Sequence, residues 1–121
     1  MLSLDMCGPY NLTVKDIVSN ITKISAGNYA LGYMEKDIDG KNKFIVKYIG
    51  RSDFDLAARL KQHVGENYKK FKYSYAESQK DAFEKECKNY HDFGGNEFLN
   101  NEIHPDRPEG KNWKCPYCDN Y

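Results

Sequence analysis

Between Phe44 and His63 the chain sets a tyrosine, an arginine and a histidine at spacings that suit work on a phosphate. Residues 44–49 read as a buried β-branched strand that ends at Gly50, and a helix follows at once with Arg59 and His63 one turn apart. Tyr48 then stands at a strand end facing a basic helix. The guanidinium of Arg59 presents its donors in a fixed fork that matches phosphate oxygens, while a phenol and an imidazole can carry protons beside it. Such a group points to phosphodiester chemistry.

A fourth group comes from the last helix. Ser78 and Asp81 open a helix that runs to about Phe93, with Ala82, Phe83, Glu86, Cys87 and Tyr90 on one face and Lys80, Glu84 and Lys88 on the solvated one. Glu86 is thus a carboxylate on the packing side, where it needs a cation, a donor or a metal as partner.

The elements that must hold these groups are legible in outline. Residues 1–11 show no periodicity and read as a loosely held arm. Val14, Ile17, Val18, Ile21 and Ile24 recur at helical spacing, with Thr13 and Asp16 as an approximate capping box. Residues 27–35 form an aromatic-rich strand, residues 37–40 a turn signalled by Asp39-Gly40, and residues 43–49 its hairpin partner. Ser52 or Asp53 can cap the next helix, whose stripe is Leu56, Ala57, Leu60 and Val64 and whose stop is Gly65. Alternating Phe71, Tyr73 and Tyr75 mark a third strand. The expected fold is α+β, a small three-stranded antiparallel sheet flanked by helices, with a Cys-containing C-terminal tail. It divides into an arm and helix (1–26), a core (27–101) and a tail extending the same domain (102–121).

At 121 residues the chain suffices for one domain with a real core. Charged residues make up 30% and no apolar run approaches a membrane span, so a soluble, cytoplasmic protein without a signal peptide is expected. Zero net charge argues against a free-standing, non-specific nucleic-acid binder. Yet residues 41–72 hold nine basic residues against three acidic ones, which suits either a solvated surface or a phosphate-tracking patch.

With these residues in place the chain resembles the GIY-YIG nuclease family. Gly27-Asn28-Tyr29 resembles the first half of the signature with Asn in place of Ile, and Tyr48-Ile49-Gly50 matches the second half. Arg59, His63, Glu86 and Asn101 follow in the family's order, although the separation of Tyr29 from Tyr48 is longer than usual and calls for a longer hairpin. The resemblance implies a divalent-metal-dependent endonuclease acting on DNA. In it Glu86 would hold Mg²⁺ or Mn²⁺, Arg59 would stabilise the charge of the transition state, and Tyr29 would be the general base with its pKa lowered by the metal and nearby cations. Tyr48 and His63 would position or relay the proton, and Asn101 would support the site. Taken singly, Tyr29 and Tyr48 fit strand packing, His63 a helix surface and Asn101 a turn. Their joint spacing favours chemistry.

Cysteines supply a second constellation. Cys115 and Cys118 have the separation of a zinc knuckle, and Cys87 and His91 lie at i and i+4 of one helix, so the four could form a closed tetrahedral zinc site. His104 is an alternative to His91, and a redox pair is another use of Cys-x-x-Cys. Cys7 is left over as a thiol. Two competing readings remain beside the nuclease: a zinc-stabilised nucleic-acid-binding module that does not cut, and an interaction domain of a larger assembly or homodimer.

Overall fold

A computed structural model describes residues 4–101 and 104–118, and expectations that fall on residues 1–3, 102–103 and 119–121 lie outside the described residues. The elements are β1 (Cys7–Asn11), α1 (Val14–Asn20), β2 (Gly27–Lys36), β3 (Asn42–Ser52), α2 (Leu56–Lys61), β4 (Lys70–Tyr75) and α3 (Gln79–Asp92), followed by a short 3₁₀ turn at Gly95–Glu97. The fold is α+β, as expected, but its antiparallel sheet has four strands in the order β1-β4-β2-β3.

The additional strand is β1, read above as a loose arm. Gly8 and Pro9 mask it in the sequence, because both disfavour a regular ladder. In the fold they sit where the register slips between the Cys7–Tyr73 and Tyr10–Phe71 pairs, at the sheet edge, where a missing N–H does no harm. Cys7 is an exposed free thiol there.

β2 lies between β4 and β3 and is covered on both faces, so residues 27–32 are all buried rather than alternating. Tyr29 and Leu31 pack with Ile17, Ile21, Leu56 and Leu60 from α1 and α2. Ala30 points the other way and meets Ile49, Leu4, Tyr90 and Leu99. The hairpin turns through residues 37–41, where the Asp37 carboxylate accepts from the Asp39 and Lys41 amides and Gly40 takes φ +80°.

Caps set the helix starts. Thr13 accepts from the Asp16 amide and Ser78 from the Asp81 amide, both at the expected positions. α2 differs: Asp55 is its N-cap and accepts from Ala58, while the Ser52 hydroxyl accepts from the Asp55 amide in the turn just before it. α1 is one turn shorter than its periodicity suggested and buries Ile17, while Val14, Val18 and Ile24 stay exposed. No helix among the described residues is long and apolar enough to cross a membrane.

Candidate active site and metal centre

Tyr29 and Gly50 are directly opposed across the β2–β3 pair. A Cβ on Gly50 would lie 2.2 Å from the Tyr29 ring and 2.4 Å from its hydroxyl, so only glycine lets the phenol lie across the neighbouring strand. Tyr48, two residues earlier on the same face of β3, stacks beside Tyr29 with ring centroids 6.4 Å apart and planes 17° from parallel. Arg51 falls on the opposite face and reaches α3.

These strand ends open onto a cavity of about 380 Å³ lined by Tyr29, Tyr48, Gly50, Arg51, Ser52, Asp53, Phe54, Arg59, Glu86 and Asp106. Tyr29, Tyr48, Arg59 and Glu86 therefore converge, from β2, β3, α2 and α3. Glu86 faces inward, with 8% of its surface exposed. Its direct partner is a cation that sequence reasoning left without a role, Arg51. Arg51 Nη1 donates to Glu86 Oε1 at 2.6 Å and Arg51 Nε donates to Asp53 Oδ1 at 2.9 Å, so one guanidinium ties two carboxylates together. The signal available was the cation immediately after Gly50, which alternation sends to the α3 side of the sheet. Burial pushes the Glu86 carboxyl up to about 7, against the pull of Arg51.

His63 does not continue α2. The helix ends at Lys61, and the His63 amide bonds the Leu60 carbonyl in a tighter turn, which rolls the ring inward until 7% of the residue is exposed. Its Nε2 lies 2.8 Å from the Tyr29 hydroxyl and its Nδ1 2.9 Å from Glu66 Oε1. A carboxylate only accepts, so Nδ1 carries the ring proton and Nε2 accepts from the Tyr29 O–H. The result is a Tyr29–His63–Glu66 chain in which Glu66 is a member that sequence reasoning missed.

The chain's own cations do not by themselves lower the Tyr29 pKa below the ordinary phenol value. Burial raises it well above the ordinary phenol range, and the Arg59 guanidinium offsets only part of that rise. Burial also raises Tyr48. Tyr29 is accordingly a neutral hydroxyl at ordinary pH, bonded to His63. Arg59 is exposed at the rim and donates to Gln62 Oε1 at 2.6 Å.

Asn101 is not among the residues lining the cavity. Its Oδ1 accepts from the Ile49 amide at 2.9 Å and its Nδ2 donates to the Ile49 carbonyl at 2.7 Å, so it holds the Tyr48-Ile49-Gly50 strand from outside. Asn28 is fully buried on the α3 side, donating to the Ala82 carbonyl at 2.8 Å, which explains how an amide can stand beside Tyr29 without entering the cavity.

The second constellation gathers at the C-terminal end of α3. Ligand atoms of His91, His104, Cys115 and Cys118 all lie within 4.8 Å of one another, a Cys₂His₂ set that could hold a metal ion such as zinc. His104 Nδ1 lies 2.8 Å from the Pro105 carbonyl, which only accepts, so Nδ1 is the protonated nitrogen and Nε2 is left as the ligand atom. That Nε2 lies 3.1 Å from His91 Nε2 and 3.5 Å from Cys118 Sγ. The expected ligand Cys87 is corrected: His104 joins His91 and takes the fourth place instead. Cys87 lies one turn before His91 on α3, buried with Phe83 and Trp113 against Cys115 and outside the set of ligand atoms that lie together.

No protein family, curated protein or solved structure matches the chain.

Proposed function

We propose that the chain is a divalent-metal-dependent endonuclease that hydrolyses DNA phosphodiester bonds at the cavity between β3, α2 and α3, in the manner implied by its resemblance to GIY-YIG nucleases. The observation that carries this reading is the convergence of Tyr29, Tyr48, Arg59 and Glu86 on one cavity, with the Tyr29 hydroxyl bonded to His63.

The carboxylates lining the cavity, Glu86, Asp53 and Asp106, offer hard oxygen donors of the kind that suit Mg²⁺ or Mn²⁺ over a soft ion. Such a cation, held by Glu86, would act as a Lewis acid toward a non-bridging phosphate oxygen. The remaining work belongs to the chain itself. Arg59, at the rim, meets the phosphate as charge builds on it. Tyr29 removes a proton from the attacking water while delivering its own to His63 Nε2, and Glu66 compensates the positive charge that forms on the imidazole. Tyr48 packs against both rings, with its centroid 5.3 Å from that of His63, and keeps them aligned.

Incubation of the purified chain with plasmid and with branched DNA, in Mg²⁺ and in EDTA, tests the reading. Metal-dependent nicking is expected, abolished in Glu86→Gln and reduced at least about 100-fold in Arg59→Ala. Wild-type rates in either variant would sink it. A second reading, a zinc-stabilised nucleic-acid-binding module without cleavage, draws on one feature: Glu86 is already engaged by Arg51. DNA binding at low salt with no nicking on any substrate would favour that module.

A further inference from the structure

Among the described residues, Asp106 is the one residue of the tail that lines the candidate active-site cavity. It comes two positions after His104, a member of the Cys₂His₂ set, and the intervening Pro105 is buried. His91, in the same set, lies on α3 five positions after Glu86. The metal centre thus joins the helix that carries the buried carboxylate to the tail segment that walls the same cavity. A centre of this kind fixes chain that has no secondary structure of its own, and residues 104–118 contain neither helix nor strand.

We propose that the His91/His104/Cys115/Cys118 centre is a positioning element of the cavity: the ion it holds fixes the tail so that Asp106 closes the wall beside Glu86 and shares its divalent cation. This rests on the endonuclease reading and extends it. Hard cations take several oxygen ligands, commonly from one or two carboxylates, and Glu86 Oε1 already accepts from Arg51. An exposed carboxylate at the rim supplies an oxygen donor without the desolvation that burdens Glu86. The metal at the soft site would then set how well the hard site binds, although the two share no ligand.

The test is a Mn²⁺ titration of protein purified without chelator, followed by electron paramagnetic resonance, with melting temperatures recorded alongside. Asp106→Asn should bind Mn²⁺ at least about tenfold more weakly while remaining folded by its melting curve. Cys118→Ser, which breaks the centre, should weaken Mn²⁺ binding similarly, and the double variant should lose little more than either single one. If Glu86→Gln abolishes binding while Asp106→Asn or Cys118→Ser binds as tightly as wild type, the proposal is overturned and the endonuclease reading survives. If wild type binds no Mn²⁺, or Glu86→Gln binds it unchanged, both are overturned.

Discussion

Glu86 is a carboxylate that folding prefers to protonate. Its pKa rises from 4.5 in the reference state to about 7 because burial outweighs the attraction of Arg51. A carboxyl raised in this way contributes stability below its unfolded pKa and loses that contribution as pH rises through the folded one. In EDTA, wild type should therefore lose stability relative to Glu86→Gln between about pH 4.5 and 7, by on the order of 3 kcal/mol. Urea unfolding of both proteins at several pH values checks this, and parallel pH profiles would contradict it. The Tyr29–His63 pair makes a separate claim about turnover. His63→Ala should reduce cleavage about 100-fold or more at unchanged DNA affinity, the scale of a lost proton acceptor. A variant that cuts normally would show that Tyr29 passes its proton elsewhere.

Among the elements, the β2–β3 hairpin carries most of the site's geometry, and it is where sequence reasoning reached furthest. Alternation places Tyr29, Tyr48 and Gly50 on one face and Arg51 on the other, and Asp39-Gly40 marks the reversal between the strands. Gly50→Ala should thus damage both fold and function: its methyl would overlap the Tyr29 ring, so a stability loss of about 1–3 kcal/mol is expected together with loss of cleavage. Denaturant melts and the nicking assay read both. What the sequence concealed depends on contacts made at long range or on small local deviations. Strand β1 is hidden by Gly8 and Pro9. The helix start moves to Asp55 because Ser52 is used in the preceding turn. In sequence His63 reads as continuing the helix of Arg59 with a place in the site, and only the tightening after Lys61 turns it toward Tyr29. Cys-x-x-Cys spacing identified one half of the metal centre, but no spacing rule chooses His104 over Cys87, since that depends on how the tail returns to α3.

For the whole molecule, the tail meets the core at the His91/His104/Cys115/Cys118 cluster, which could hold a metal ion. Metal analysis of protein purified without chelator should give about one equivalent of zinc per chain, and its removal should lower the melting temperature, because the ion binds the folded arrangement of four ligands in preference to the open chain. A metal-free sample that melts at the same temperature would contradict the centre. The path of the tail also bears on how the molecule treats its neighbours. β3 is an outer strand, and its backbone would otherwise offer a template for a foreign strand. Asn100 donates its amide to the Lys47 carbonyl, and Asn101 satisfies both the amide and the carbonyl of Ile49. Those two asparagines act as a selvedge on the sheet: an intruding peptide must strip them off before it can be woven in, and doing so would unseat the very strand that presents Tyr48.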